Sequence, residues 1–219
     1  MSETIVIALD GPAASGKGTL AKRLALHYGF AHLDTGKLYR AVAYLLLQHG
    51  ARTTLESVAI PAAQKITPDL LTLPELGSAE VGRMSSKVAA IPEVRAQLLA
   101  YQRDFAARPP GGTKGAVLDG RDIGSVICPN ARVKLFVTAS PEVRAHRRFL
   151  ELRAAGSGLS EKEILADIKE RDARDTSRKD APLVRAPGAH LLDTSDLSIE
   201  AAFAAACAII EDQLKSGAA

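Results

Sequence analysis

The sequence predicts an α/β fold: a five-stranded parallel sheet with helices on both faces, interrupted by a short insert and a helical lid. Two observations carry this. Five short segments rich in Val, Ile and Leu (TIVIALD, FAHLD, GAVLDG, VKLFVTA and AHLLDT) alternate with stretches of helical periodicity, the rhythm of strands joined by crossover helices. The first of them runs straight into a glycine-rich turn that opens a helix, GPAASGKGTLAKRLA.

Four of the five strand segments end in or run into an Asp, or into a Thr or Ser cluster. In open α/β sheets ligands bind beyond the carboxyl ends of the strands, so these polar ends are where chemistry belongs. The alternative is that they only cap the helices that follow. Between about Gly50 and Ser85 the rhythm breaks. TLESVAIPAAQKI has helical character, but DLLTLPELGSAE carries Pro74 and Gly77 and no crossover unit, which predicts an inserted, substrate-side piece. Helical periodicity resumes across PEVRAQLLAYQRDFAA, with Val94, Leu98, Tyr101 and Phe105 on one face, until PPGG stops it. AAGSGLSE is a flexible loop ahead of the charged helix EKEILADIKERDARDTSR. The parts make one domain over residues 1–219, with its core in 1–49, 92–150 and 179–219, the insert over about 50–91 and the lid over about 151–178.

Composition narrows the partners. With 47% hydrophobic and 24% charged residues, 219 residues suffice for one compact core. A formal charge of +3 suits a small anionic ligand. Only 4% of the chain is aromatic and none of it is Trp, which argues against a nucleic-acid binder. Cys128 and Cys207 have no metal-ligand spacing and are expected to be buried free thiols in a reducing compartment. No signal-peptide pattern opens the chain and no apolar run could span a bilayer, so the expected location is the cytoplasm, without membrane attachment, and the default state a monomer.

The turn after the first strand has Gly11, Gly16 and Lys17 in the G-x-x-x-x-G-K spacing of a P-loop, so the fold is of the P-loop NTPase type. Backbone N–H groups from Gly11, Pro12, Ala13, Ala14, Ser15, Gly16, Lys17, Gly18 and Thr19, proline excepted, and the helix start would converge on nucleotide phosphates, with Lys17 reaching the β and γ groups. The hydroxyl comes one position later than in the common motif, at Thr19, because Gly18 follows the lysine. That GKGT form is the variant of nucleoside monophosphate kinases.

Three further segments fit a second anion. LDTGKLYR places Thr35 at a strand end and Arg40 in the first turns of a helix, where a guanidinium can grip a phosphate; the alternative is a plain Thr cap with a surface Arg. AVLDGRDIG ends a strand in Asp119, Arg121 and Asp122. Asp119 is placed to order a magnesium ion through its waters, together with Thr19, while Arg121 and Asp122 face a ligand or pair with each other. KERDARDTSR steps Arg171, Arg174 and Arg178 along one helical face with Asp175; the alternative is a solvated helix with Asp167–Arg171 and Arg171–Asp175 pairs.

Taken in order, DGPAASGKGT, LDTGKLYRAVA, SSKVAAIPEVR, LDGRDIGSVICPNARVKLFVTASPEVRAHRR, KERDARDTSR, APL and LLDTSDLSIE resemble the bacterial cytidylate kinase family. The resemblance covers the chain apart from roughly residues 50–80. It implies transfer of the γ-phosphoryl of ATP to CMP or dCMP, with Mg2+. It also implies that Ser86, Arg95 and Asp122 read the cytosine edge, that Arg40, Arg121 and Arg178 hold the CMP phosphate, and that Arg171 and Asp175 contact the sugar. Thr35 falls on an acceptor-binding position, Arg174 on the lid that closes over ATP, and Lys17, Arg174 and Arg178 on the transfer step itself. Two departures from the family are expected: an insert that looks shorter and lacks a strand hairpin, and Lys37, which should point outward. The rival acceptors are UMP, AMP, gluconate and shikimate. A hydroxyl acceptor would call for a carboxylate base and fewer arginines. A GTPase-type switch is excluded by the lack of N-K-x-D, since the one Asn, Asn130, precedes Ala131.

Overall fold

The computed structural model describes residues 4–50 and 56–216. All five expected strands form: β1 (Ile5–Asp10), β2 (Ala31–Asp34), β3 (Gly115–Gly120), β4 (Val133–Thr138) and β5 (His190–Asp193). They make one parallel sheet in the order β2-β3-β1-β4-β5, with Asp10 level with Gly120, and Asp34 level with Asp119. The chain leaves central β1 for the β2 edge and later crosses back to β4, so β1 stands at the topological switch point. There the connections diverge and open a crevice at the strand ends.

Side-chain alternation along β1 feeds two layers. Ile7 and Leu9 pack with α1 (Lys17–Tyr28) and the C-terminal α8 (Ile199–Ser216), around Leu24, Val117, Leu135 and Ile210. Ala8 faces the opposite side, where Leu118, Ile123 and Ala106 close the second layer.

The largest apolar cluster lies off the sheet. It joins α2 (Thr35–Gln48), α3 (Glu56–Ala63), α4 (Ala79–Val88) and the first half of α5 (Pro92–Ala107) through Leu38, Val42, Leu46, Val81, Val88, Val94 and Leu98. Between α3 and α4 the chain makes two short 3-10 turns, Asp69–Thr72 and Pro74–Gly77, and no strand occurs among the described residues of this stretch. Thr54 and Leu55, the start of the expected helical segment, lie outside the described residues. A fourth cluster, Ala145, Leu152, Ile164 and Ile168, holds α6 (Pro141–Ala154) against α7 (Glu161–Ser177). Ser160 starts α7 with a reciprocal cap: its hydroxyl accepts from the Glu163 N–H while the Glu163 carboxylate accepts from the Ser160 N–H.

Two packing expectations need correction. On α5 the buried positions are Val94, Leu98, Gln102 and Ala106, a strict four-residue step, while Tyr101 is 40% exposed. Gln102 is buried with its amide N–H donating to the Leu98 carbonyl at 2.9 Å, while its Oε1 has no hydrogen-bond partner. Both cysteines are free but only half-buried, and burial still pushes the Cys128 thiol up to about 11. No described helix is long and apolar enough to cross a membrane.

Candidate active site

The P-loop leaves β1 through Gly11, which stands at φ +152° with the Val137 carbonyl so close that a β-carbon would meet it at 1.9 Å. Only glycine fits. Gly16 takes the left-handed conformation, φ +85°, just before Lys17 begins α1, and Ala14 enters the same region at φ +58° without being glycine. Ser15 is fully buried in the loop with an unpartnered hydroxyl. Lys17 sits among Arg121, Asp119, Asp34 and Arg171. Burial first, and then Arg121, pull its ammonium down to about 8, against the opposing pull of the two carboxylates.

The strand-end aspartates divide their labour. Asp34 caps α2, accepting from the Lys37 N–H at 3.3 Å, and Asp193 accepts from the Ser195 N–H at 2.9 Å. For Asp34 the plain capping alternative is what the structure contains, whereas Asp193 closes a local turn on Ser195, ahead of α8, which begins at Ile199. Asp10 is buried and takes the N–H groups of Ile123 and Gly124 at 2.7 and 2.8 Å, holding the start of a single π-type turn, Ile123–Ile127, that follows Asp122. Burial, the largest influence, lifts its carboxyl to about 6 in spite of those two bonds. Asp119 faces the P-loop: one oxygen lies 3.9 Å from the point where a Gly18 β-carbon would stand, and the other bonds His32 Nε2 at 2.8 Å.

On the other side of Lys17 the arginines converge. Arg121 does not pair with Asp122. Its Nε donates to Asp175 on α7 at 3.0 Å, and Arg171 approaches the same carboxylate oxygen at 3.8 Å. Asp122 instead pairs with Arg95, both side chains largely buried, and the Arg95 guanidinium lies 5.5 Å from the centroid of the Tyr39 ring. Thr35 donates its hydroxyl to the Asp119 carbonyl at 2.8 Å, which ties α2 to the end of β3. Arg178, just past α7, donates to the Ala89 carbonyl at 3.3 Å, and Arg40 donates to the Leu76 carbonyl at 2.6 Å with Gly82 beneath it. Buried Arg171 Nε and Arg178 Nη2 have no hydrogen-bond partner. Burial, and then the neighbouring Arg121, pull Arg171 down to about 9. Buried donors without acceptors, in a crowd of like charges, favour an anion between them.

Three further placements differ from expectation. Arg174 points toward α4, donating to Ser86 Oγ at 2.7 Å and pairing with Glu170, so the expected cytosine reader and the expected ATP-side arginine touch each other. Lys37 does not point outward: its ammonium donates to the Leu71 carbonyl at 2.9 Å and anchors the first 3-10 turn. Asp167 pairs with Arg83 across to α4 at 3.5 Å rather than with Arg171.

Two cavities flank this cluster. One of about 710 Å³ opens between α4, α6 and α7 and is lined by Arg40, Ser86, Arg171 and Arg174. The other, about 390 Å³, lies along the P-loop beside Thr19, Arg147, Leu197 and Ile199. Arg147 and Thr194 of this second cavity escaped the sequence reading. Arg147 donates to the Thr194 hydroxyl and carbonyl at 3.0 and 2.6 Å, and the Thr194 hydroxyl donates to the Ser15 carbonyl at 3.1 Å. The available signal was LLDTSDLSIE, a polar run after the last strand. Gly18 faces Asp119, and Thr19, about 100° further round the helix, lines the second cavity.

For a hard divalent cation the available donors are carboxylate oxygens of Asp119 and Asp34, close enough for Asp119 to raise the Asp34 pKa, after burial as the larger cause. Among the described residues no group of three or more His, Cys, Asp or Glu is placed to hold a metal. That donor set fits magnesium, which binds through one or two carboxylates, water and nucleotide phosphates.

Comparison with known proteins places this geometry. The family model described as cytidylate kinase matches residues 7–212. A cytidylate kinase of Rhodopseudomonas palustris (strain BisB18) is 58% identical over 207 residues, 94% of this chain and 96% of that protein. One from Nitrobacter winogradskyi is 56% identical over 216 residues, 98% of this chain and all of that protein. One from Bartonella bacilliformis is 52% identical over 98% of both chains. Such matching over nearly whole chains lends no support to a shortened insert. Among solved structures, an uncharacterized protein from Eubacterium ventriosum superposes with a TM-score of 0.54 at 18% identity, covering 96% of this chain and 99% of that one, a likeness of fold alone.

Proposed function

The chain belongs to the cytidylate kinase family, and from that premise we propose that it transfers the γ-phosphoryl group of ATP to the phosphate of CMP or dCMP, giving ADP and CDP or dCDP. The observation that carries the reading is the gathering of Lys17, Arg121 and Arg171 in one half-buried space at the ends of β1 and β3, between the P-loop and the Arg95–Asp122 pair.

ATP lies with its phosphates in the P-loop, under the N–H groups of residues 11–19 and the start of α1. Its base lies toward Arg147 and Thr194 in the cavity beside Thr19. CMP lies on the other side of Lys17. Asp122 accepts from the exocyclic amine of cytosine, and Arg95 and Ser86 donate to its carbonyl and ring nitrogen, a pattern that uracil, with a carbonyl in place of the amine, does not satisfy. Arg40, Arg121 and Arg178 hold the acceptor phosphate, Arg171 and Asp175 face the sugar, and Thr35 sets the end of β3 against α2. The unpartnered Arg171 Nε and Arg178 Nη2 support this side as the anion site.

The acceptor phosphate oxygen is ionised at neutral pH, because the second pKa of a phosphate monoester is about 6, so no general base is required. What remains is to bring two polyanions into line and to stabilise charge on the moving group. Lys17, with its ammonium near 8, is mainly protonated at pH 7 and spans donor and acceptor. Arg174 and Arg178 close on the transferring group from α7. Asp119 would order the waters of a magnesium ion carried by the nucleotide, which would supply positive charge against that of the phosphates. Closure of the lid, from about Gly156 to Arg178, excludes the water that would otherwise hydrolyse ATP.

The test is product identity. Incubation with ATP, CMP and Mg2+ yields CDP and ADP in equal amounts; ADP without CDP would contradict the reading.

A further inference from the structure

Arg144, on the first turns of α6, carries a charge yet is only 3% exposed. Each nitrogen of its planar fork is engaged. Nε donates to the Ala139 carbonyl at 2.8 Å, Nη1 to the Ala13 carbonyl at 3.2 Å and to Asp172 Oδ1 at 3.1 Å, and Nη2 to Asp172 Oδ2 at 2.6 Å. One guanidinium therefore joins the end of β4, the P-loop and α7. A lysine ammonium could not reproduce the two parallel bonds to the carboxylate.

Both ends of this clamp sit where position matters to the reaction. Ala13 and Ala14 share a planar trans peptide, in which C=O and N–H point in opposite directions. Fixing the Ala13 oxygen toward Arg144 therefore aims the Ala14 N–H the other way. Ala14 itself stands at φ +58°, a conformation that a residue with a β-carbon keeps only when its surroundings impose it. At the other end, Asp172 follows Arg171 directly and lies within one turn of Arg174 and Asp175 on α7. A clamp on Asp172 sets where those three side chains project. Nothing in the P-loop or the arginine stripe explains why a fourfold-bonded cation should be buried between them.

We propose that Arg144 is a positioning residue for phosphoryl transfer, which fixes the Ala13–Ala14 peptide of the P-loop and, through Asp172, holds the lid helix in register with it. Arg144 touches neither nucleotide. It acts through the Ala13 carbonyl and through Asp172, so that donor loop and lid are set by one side chain. This inference rests on the kinase reading given above.

Two variants separate positioning from simple support of the fold. Arg144→Lys keeps the charge and loses the fork at both ends, whereas Asp172→Asn weakens the lid tie and leaves the Ala13 bond. ATP affinity is measured by calorimetry without acceptor, kcat and KM with ATP and CMP, and Tm for each protein. Arg144→Lys is expected to weaken ATP binding about tenfold or more and to lower kcat; Asp172→Asn keeps ATP affinity within about twofold but lowers kcat about tenfold, the scale of a small misplacement of reacting groups. The inference is overturned if both variants lose only Tm, with ATP affinity and kcat per folded molecule unchanged, or if Asp172→Asn weakens ATP as much as Arg144→Lys does. Should Arg144→Lys not fold, the kcat and ATP affinity of Asp172→Asn decide alone. Wild-type protein that bound no ATP would overturn the kinase reading itself, and this inference with it.

Discussion

Arg95 and Asp122 form a buried ion pair whose guanidinium also lies over the ring of Tyr39, 5.5 Å from its centroid. The pair joins α5 to the segment just past β3, and it fixes one oxygen of the carboxylate proposed to read the base.

Truncating Asp122 removes the acceptor for the cytosine amine and leaves Arg95 buried without its partner. Asp122→Ala is expected to lower kcat/KM for CMP by about 100-fold or more, the scale for losing one partner of a buried hydrogen-bonded charge pair. Activity with UMP falls less, so base preference narrows. Steady-state assays with both acceptors check this; an unchanged CMP to UMP ratio would remove Asp122 from base reading.

Burying Lys17, proposed to act in the transfer step, opposes folding. Its pKa is lowered from 10.5 to about 8, chiefly by burial. Below about 8 folded and unfolded chains both carry the charge, and the burial cost is present in full. Between about 8 and 10.5 the folded protein sheds its proton first, so this cost is relieved as pH rises. Lys17→Met is therefore expected to abolish transfer while raising the Tm of the ligand-free protein at pH 7, by about 2–4 °C for each kcal/mol recovered. The gain shrinks from pH 8 upward. Thermal denaturation with and without the substitution, over pH 7–10, checks the sign.

Asp10 runs in the other pH direction. Its carboxyl is raised from 3.8 to about 6, so between those values the folded protein holds a proton that the unfolded chain has released. Rising pH across that window costs stability, on the order of 3 kcal/mol in all, and the loss is complete above about pH 7. Asp10→Asn removes the titration. The stability of wild type relative to D10N should fall from about pH 4 to about pH 6 and stay level above pH 7; a difference that is constant across the window would contradict the assignment.

Much of this was legible in the sequence because the signals were local. The strands announced themselves as Val, Ile and Leu runs, and PPGG marked the end of α5. The P-loop showed in its spacing. What stayed hidden depended on partners distant along the chain. Arg144 belongs to PEVRAHRR, a charged run that reads as surface, and only the fold brings Ala13 and Asp172 to it. Asp10 and Asp34 end similar strands, yet one binds the turn after Asp122 and the other caps its own helix, a difference set by which neighbour the sheet supplies. Lys37 turned inward because the 3-10 turn at Leu71 offers it a carbonyl, and no periodicity foretells that contact. On α5 a step of four from Val94 selects Gln102 over Tyr101; hydrophobicity chose the wrong one because the helical step, not polarity, sets which side chain turns inward, and of the Gln102 amide only the N–H finds a partner within the helix.

The central claim is that a P-loop kinase core has its acceptor side built for a cytidine monophosphate. The measurement that bears on it most directly is kcat/KM for CMP, dCMP, UMP, AMP and shikimate with ATP and Mg2+, followed through ADP formation in one coupled assay. CMP or dCMP should give the highest value, with UMP below them and AMP and shikimate near background. Preferential turnover of AMP or shikimate would contradict the account.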